Sequence, residues 1–499
     1  MGTPSNAEIC GLKAKSIRGG ALNVAVVGIN HFTTLLSVAV LARLLTPEDY
    51  GSVAMVTALI GFVNIFKDFG LSAATIQALN LTHAQHSALF WINAAFGALL
   101  TLATMSAAPL IAWFYGKPHL LWVTIGLAFG SLFSCLGTQH MALLTRQMRF
   151  RALAVIEVTA LFASSFVSIG TALLHGGYWA LVAGRIGTAL WATAGAWIAC
   201  NFRPDWFRRG TGVRRLVRFG ANVAVFDIAT YFRDNMDQIL IGRVWGAQPL
   251  GLYEKAVSLL QLPMRTLRFP LNKVAFPALS RLADDPPHFR SYFVKYCSLL
   301  AFASMPIVAV LYGSAESIIG LLLGERWLAA TDLFKILAVA GFIESVASLR
   351  PTVIMSTGHG KRLFRLGFCI AVATVGAVAI GVAWGAKGVA LAYCLVTYII
   401  LHPSLLYAFR GTPVRPRDLY RAVARPCLAS IVMLLTYLLL VEPLLPSSDV
   451  AKLSVALPFC ACAYLGIYGL LPGGLSALGE YLSYLGILLQ RVRLAPKPT

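Results

Sequence analysis

The sequence predicts an all-α integral membrane protein with about 14 transmembrane helices, and three observations support this prediction. Hydrophobic residues make up 58% of the 499 residues and charged residues only 12%, about half of the roughly 25% in a soluble domain. The mean hydropathy is +0.74. The 41 Lys and Arg residues, against 20 Asp and Glu, cluster between long apolar runs. A soluble globular protein, a disordered chain and a disulfide scaffold are therefore excluded.

Fourteen apolar runs approach or exceed the length of about 20 residues that a helix needs to cross a bilayer. They cover 20–42, 51–78, 88–115, 119–144, 152–174, 177–200, 217–241, 250–280, 291–313, 331–357, 363–384, 388–409, 422–441 and 452–471. The second, eighth and tenth runs are the least apolar. A short amphipathic stretch at roughly 474–490 follows, and we expect it to lie at the membrane interface.

The basic residues alternate from loop to loop. With the N-terminus inside, about 25 Lys and Arg fall in cytoplasmic segments and about 6 in the opposite loops, as the positive-inside rule requires. Both termini are therefore predicted to be cytoplasmic. The loops are too short for a soluble catalytic domain, and the sequence has no GxxxxGK[ST] run, so ATP-driven transport by this chain alone is not expected.

An internal repeat divides the predicted spans. A shift of 200 positions aligns five identical pairs: Gly20/Gly220, Ala21/Ala221, Phe32/Phe232, Arg43/Arg243 and Gly51/Gly251. Paired halves with a site between them are a recurrent plan in transporters. We expect a cytoplasmic segment at 1–19, an N-lobe at 20–200, a basic linker at 201–216, a C-lobe at 217–409, two further spans in 410–471, and a basic amphipathic tail at 472–499.

The span predicted over 250–280 carries a polar stripe. Steps of three or four residues place its members on one face of a helix, and charged residues inside a membrane are functional candidates by default. The stripe consists of Glu254, Ser258, Gln261, Arg265, Arg268 and Asn272. It is too polar to face lipid, so we expect it to line a wet cavity or contact a partner helix. Pro263 would permit a kink.

The span predicted over 217–241 has a similar face. Asp234 and Asp237 follow Thr230 at helical spacing, and Arg233 can pair with Asp237 four residues on. At the repeat offset, Arg268 aligns with Asp68 of the first half. We therefore expect both halves to turn polar faces toward one shared cavity, with most of its charge in the second half.

Four further charged residues lie within the predicted spans. For Glu157 and Arg185, a structural ion pair or a position near a helix end remains as plausible as a substrate role. Glu344 and Arg350 are six residues apart and do not share a helical face cleanly. For His31, His140 and His175, packing is favoured over proton relay.

The arginines indicate the chemistry of the cargo. Guanidinium groups bind phosphate in a bidentate manner, so Arg265 and Arg268 in a low-dielectric cavity favour a phosphate or pyrophosphate headgroup. The alternative is that these arginines neutralise Asp234 or Asp237.

Three motifs resemble a known family. RLLTPEDYGSVAMV at 43–56, FKDFGLSAATIQ at 66–77 and FRDNMDQILIGRVWGAQPLGLY at 232–253 are similar to motifs of bacterial polysaccharide (Wzx-like) flippases. These belong to the multidrug/oligosaccharidyl-lipid/polysaccharide (MOP) exporter superfamily. The resemblance extends over about residues 16–470. It implies a two-lobed, V-shaped, MATE-like fold with two additional C-terminal helices and alternating access to a cationic cavity.

The resemblance also implies a function in the bacterial inner membrane. The cargo would be undecaprenyl-pyrophosphate-linked oligosaccharide repeat units, moved from the cytoplasmic to the periplasmic leaflet for exopolysaccharide, capsule or O-antigen assembly. Membrane lipids, a polysaccharide polymerase and chain-length or co-polymerase proteins are the expected partners, and no nucleic acid is expected. No cofactor is expected beyond coupling to an H+ or Na+ gradient.

The candidate substrate-binding residues come from both lines of argument. By resemblance, Asp68, Arg233, Asp234 and Asp237 fall in family motifs. The stripe contributes Arg265, Arg268, Gln261 and Glu254, and the isolated charges Arg185 and Arg350 complete the set. The alternatives are a multidrug or lipid II exporter of the same superfamily and a membrane polysaccharide polymerase or ligase. The latter usually needs a large extracytoplasmic loop, which the predicted topology lacks.

Overall fold

A computed structural model describes residues 28–65, 75, 82–206, 231–446 and 448–493. The helices are α1 (Gly28–Leu44), α2 (Pro47–Ile65), α3 (His83–Tyr115), α4 (Leu120–Arg146), α5 (Phe150–Leu173), α6 (Trp179–Ala199), α7 (231–245), α8 (Ala247–Arg281), α9 (Pro286–Gly313), α10 (Ala315–Leu322), α11 (Thr331–Ala347), α12 (Arg350–Ser356), α13 (Gly360–Gly381), α14 (Gly385–Phe409), α15 (Pro416–Thr436), α16 (Asp449–Leu470) and α17 (Gly474–Arg493).

The all-α membrane fold is confirmed. Within the described residues, seven helical stretches are long and apolar enough to cross a membrane, or eight if α1 and α2 form one bent span. One of the seven, Gly360–Phe409, contains both α13 and α14. Helices α6, α8 and α11 are not among the seven, and α11 has only 17 residues. The count of fourteen spans stays a prediction.

The helix direction bends by 119° between α1 and α2, and the TPED sequence explains this sharp turn. The Asp49 carboxylate accepts hydrogen bonds from the backbone N–H of Thr46 at 2.9 Å and from its hydroxyl at 2.7 Å. The backbone N–H of Asp49 donates in return to the Thr46 hydroxyl. This reciprocal arrangement is a capping box. Pro47 occupies the first helical position, where its missing N–H costs nothing.

The described helices divide into two compact units, with α1–α6 in the first and α7–α16 in the second. The helix breaks repeat at the predicted offset, because α1 ends at 44 and α2 begins at 47 while α7 ends at 245 and α8 begins at 247. The packing also repeats. In the first unit α4 packs on α2, α3 and α6, and α5 packs on α6; in the second, α11 packs on α8, α9 and α14, and α13 packs on α14.

Small residues allow close helix packing in both units. A Cβ atom added to Gly97 of α3 would lie 2.5 Å from the Cβ of Cys135 on α4, and one added to Gly381 of α13 would lie 2.6 Å from the carbonyl oxygen of Gly388 on α14. Membrane helices associate through such close contacts, because lipid tails are as apolar as side chains and give little hydrophobic driving force.

The second unit carries additional helices on its α9 side. The Arg290 guanidinium of α9 donates from Nε at 2.9 Å and from Nη2 at 2.5 Å to the Asp418 carboxylate in the first turn of α15. Asp418 also accepts from the backbone N–H of Arg415 at 2.9 Å. Asp418 is buried, and these donors compensate the cost of removing its charge from water. The start of α17 packs beside α9 and α16 through Tyr481.

Candidate functional site

The polar stripe lies along one face of α8. The helix runs without a break through Pro263. Gln261 and Arg265 are exposed, whereas Leu260, on another face, is buried. The Arg265 Nη2 atom donates to the Gln261 Oε1 atom at 2.6 Å. Among the described residues, no carboxylate lies within ion-pair distance of Arg265. Its positive charge is therefore held in place by a neutral amide.

The carboxylates of α7 take different partners from those the spacing suggests. Arg233 pairs with Asp234, with Nε 2.7 Å and Nη2 3.2 Å from the two carboxylate oxygens. The expected pairing of Arg233 with Asp237 is wrong. Asp237 instead accepts a 2.7 Å hydrogen bond from the Tyr253 hydroxyl of α8 and one of 2.8 Å from the backbone N–H of Gln238. Tyr253 is 1% exposed, and its hydrogen bond to Asp237 links α7 to α8. Asp234, in contrast, is exposed.

Helix α11 brings a further carboxylate to this face. Gly341 allows a close approach, since a Cβ there would lie 3.2 Å from Leu260 of α8. One turn later the Ser345 hydroxyl lies 3.2 Å from the Met264 sulfur. Glu344 is exposed beside this contact. Tyr393 of α14 and the charges of Arg268 and Arg233 act on its carboxylate.

Arg350 lies where the predicted span 331–357 is interrupted. Helix α11 ends at Ala347 and α12 begins at Arg350. The Arg350 Nε atom donates to the carbonyl oxygen of Ala347 at 2.8 Å, and Nη1 donates to the Ser404 hydroxyl of α14. The guanidinium thus satisfies a carbonyl that the helix end leaves without an intrahelical donor. The charges of Arg350 and Glu344 also act on each other.

The remaining candidates have other contacts. In the first unit, Arg185 is exposed and its Nη1 atom donates to the Thr57 hydroxyl at 3.1 Å. Glu254 is 3.6 Å from the ammonium group of Lys255. The Lys255 side chain is 7% exposed. Asp68 lies outside the described residues.

The structure therefore assembles one charged face in the second unit, which we call the α7/α8/α11 face. It consists of Arg233, Asp234, Gln261, Arg265, Arg268 and Glu344, with Asp237 and Tyr253 beneath it. Sequence reasoning missed Tyr253 and Tyr393 as partners of its carboxylates. Tyr253 falls inside the quoted LGLY motif, but no spacing rule links it to Asp237, and Tyr393 has no sequence signal beyond a tyrosine in an apolar span.

Comparison with known proteins identifies the family. A sequence profile described as polysaccharide biosynthesis protein matches residues 40–332, which is more than half of the chain. The chain belongs to this family. The match includes α2 and α8, and with them the identical pairs Arg43/Arg243 and Gly51/Gly251 of the repeat. Most of the α7/α8/α11 face lies within the matched region, and Glu344 lies beyond its end.

Three relatives extend the comparison. The lipopolysaccharide biosynthesis protein WzxC of Escherichia coli (strain K12) is 26% identical over 415 residues, covering 81% of this chain and 82% of that protein. The succinoglycan biosynthesis transport protein ExoT of Rhizobium meliloti (strain 1021) is 26% identical over 411 residues, covering 82% and 83%. The teichuronic acid biosynthesis protein TuaB of Bacillus subtilis (strain 168) is 27% identical over 309 residues, covering 61% of this chain and 63% of that protein.

Solved structures establish the fold class independently. The lipid II flippase MurJ in an inward closed conformation has a TM-score of 0.73 at 13% identity, covering 91% of this chain and 98% of that one. An inward-facing multidrug resistance MATE family transporter of the MOP superfamily has a TM-score of 0.60 at 11% identity, covering 78% and 97%. The polysaccharide biosynthesis protein therefore has the fold of MOP-superfamily transporters.

Proposed function

We propose that this polysaccharide biosynthesis protein is a flippase for lipid-linked oligosaccharide repeat units carried on undecaprenyl pyrophosphate. The family and the names of WzxC and ExoT support a role in polysaccharide biosynthesis and transport. The chain is a multi-pass membrane protein whose chemistry must take place on its helices. We place it in the bacterial inner membrane with both termini in the cytoplasm, on the strength of the loop charges.

The observation that carries the proposal is the state of Arg265. It is an exposed guanidinium on a predicted membrane span, held by a neutral amide and without a carboxylate partner among the described residues. A charge inside a membrane without a counter-ion is costly, so a site of this kind gains most by binding an anion. A pyrophosphate supplies several oxygens for bidentate binding. Arg268, three residues on, lies on the same face and can reach the same group.

The carboxylates give this face a means of releasing its cargo. Glu344 lies within electrostatic range of Arg268 and Arg233, and Asp234 is paired with Arg233. When the site is empty, these carboxylates neutralise part of the arginine charge. A pyrophosphate displaces them when it binds, and their return favours its release. Binding is then an exchange of anions, which keeps the affinity low enough for turnover.

The remaining elements of the proposal concern energy and partners. We propose coupling to an H+ or Na+ gradient, because the sequence has no ATP-binding motif. We also propose that a polysaccharide polymerase and chain-length or co-polymerase proteins receive the translocated units, and that the chain itself is not an enzyme.

The test is a deletion strain with leaflet-specific labelling of lipid-linked repeat units. The proposal expects labelled units to accumulate in the cytoplasmic leaflet and the surface polymer to disappear, with recovery on expression of the wild-type chain. Normal polymer with altered drug sensitivity would instead indicate a multidrug exporter. Release of free polymer by the purified protein would indicate a polymerase or ligase.

A further inference from the structure

A second polar site lies in the first unit, where α3 begins and α4 and α6 end. A cleft of about 330 Å³ is lined there by polar and aromatic side chains, principally His83, His86, Gln147, Arg149, Asn201 and Phe202. Its size falls within the range of small-molecule sites, roughly 300–1,000 Å³. None of these residues belongs to the α7/α8/α11 face, and none was a candidate from the sequence.

Five of the lining side chains carry hydrogen-bond donors suited to an oxyanion. Two imidazoles, one guanidinium and two carboxamides can all donate, and the guanidinium is charged at every physiological pH. The Arg149 Nη1 atom donates to the carbonyl oxygen of Ala199 at 2.7 Å. This bond anchors the guanidinium at the end of α6 and leaves its other N–H groups available to bind a ligand. Asp205 is the acidic neighbour, with a carboxylate oxygen 3.3 Å from His83 Nε2.

The end of α4 fixes two of these donors. The backbone N–H of Arg149 bonds to the carbonyl of Leu144, and that of Met148 bonds to Thr145. These two bonds form a Schellman motif, in which Met148 takes the left-handed position at φ 53°. The motif holds Gln147 and Arg149 on either side of Met148, so both side chains reach the cleft.

Three tryptophans indicate the depth of the cleft in the membrane. The Trp91 indole N–H donates to the carbonyl oxygen of Asp205 at 2.8 Å, and its ring stacks on Trp206 at 5.7 Å. Trp206 is 85% exposed and Trp197 is also exposed. Tryptophan is enriched at membrane–water interfaces, where its ring sits at headgroup level. We therefore expect the cleft beside these residues to lie near the depth of lipid phosphates.

We propose that this cleft binds the phosphate group of a membrane lipid. Its donors match a phosphate, its volume admits one headgroup, and its aromatic border places it where lipid phosphates lie. Two lipids carry the required chemistry: an anionic phospholipid of the bilayer, and a polyprenyl diphosphate. The site is independent of the flippase proposal, because it uses residues of the first unit only and requires no translocation.

The experiment measures lipid binding to the full-length protein by native mass spectrometry. The probes are phosphatidylglycerol and undecaprenyl diphosphate, with diacylglycerol and undecaprenol as the phosphate-free controls. We expect Arg149→Gln to weaken binding of at least one phosphate lipid by about tenfold or more, as the loss of a charge-assisted hydrogen bond predicts. The matched control is Arg203→Gln, an exposed arginine of the same segment outside the lining, which should bind as the wild type does.

Arg149→Gln also changes the contact with Ala199, so a second variant tests the cleft with Arg149 in place. Asn201→Asp keeps the size of the side chain, leaves Arg149 in place and adds a negative charge to the cleft, so it should weaken the same lipid. An effect on phosphatidylglycerol identifies the bilayer as the source, and an effect on undecaprenyl diphosphate alone identifies the polyprenyl carrier. Equal binding of both phosphate lipids by wild type, Arg149→Gln and Asn201→Asp would overturn the proposal.

Discussion

Replacing the arginines of α8 should weaken cargo binding by an amount that their contacts define. In Arg265→Gln the side chain loses its charge but can still hydrogen-bond to Gln261, which lies 2.6 Å from Arg265 in the wild type. The local helix is therefore preserved. Each charge-assisted hydrogen bond to a phosphate contributes about 1.5–3 kcal/mol, which corresponds to about a 10- to 150-fold change in Kd.

The two arginines should not act independently. Arg268 is one helical turn from Arg265, with Cβ atoms roughly 5–6 Å apart, and it shares the field of Glu344. Neighbouring residues that bind one group are not additive. We therefore expect the double variant Arg265→Gln/Arg268→Gln to lose more affinity than either single variant but less than the product of the two losses.

The assay is binding of undecaprenyl diphosphate to the purified full-length protein, followed by leaflet labelling in cells. The matched control is Arg281→Gln, an exposed arginine in the last turn of the same helix, which should bind as the wild type does. The reasoning is refuted if the double variant keeps wild-type affinity and wild-type translocation while remaining folded.

Three further predictions concern the carboxylates and one loop. Tyr253→Phe should lower the Tm, because Asp237 loses its 2.7 Å donor at a cost of about 1–3 kcal/mol; an equal loss in the Asp237→Asn background would argue against this coupling. Glu344→Gln should bind undecaprenyl diphosphate more tightly yet translocate more slowly, because it removes a carboxylate that competes with the cargo; weaker binding in Glu344→Gln contradicts the anion exchange. Burial and the nearby Lys117 ammonium lower the pKa of His119, so its neutral form is favoured in the fold. The stability that neutral His119 contributes is present above the unfolded pKa of about 6.5 and is lost as pH falls through the pKa of the folded state. Wild type should therefore lose more Tm between pH 7.5 and 5.5 than His119→Gln, and identical pH profiles would exclude this contribution.

The sequence predicted the apolar parts of the helices better than their ends. Helix α2 begins at Pro47 and α3 at His83, four and five residues before the predicted runs at 51 and 88. Both helices start with a polar capping box, at Thr46 and at Thr82. A hydropathy criterion excludes such turns, because the residues that satisfy the free backbone N–H groups are polar. The apolar core of each span carries no such ambiguity.

The site was predictable where its residues share one helix. Spacing alone places Gln261, Arg265 and Arg268 on a common face, because helical periodicity is a local property. The pairing of Asp237 with Tyr253 joins two helices. Such contacts depend on how helices pack, which a single sequence does not encode by spacing. The break between Ala347 and Arg350 is likewise a feature that helical spacing does not predict.

The most direct test of the central claim is the water accessibility of the α8 face. In a background without Cys10 and without Cys369 and Cys462, the exposed cysteines among the described residues, Gln261→Cys should react with a water-soluble maleimide in membrane vesicles. Undecaprenyl diphosphate should slow that reaction. Leu395→Cys, on an exposed apolar surface of α14, should remain unlabelled. A Gln261→Cys variant that is as unreactive as Leu395→Cys, or that reacts equally fast with and without the lipid, would contradict a charged, water-filled binding face.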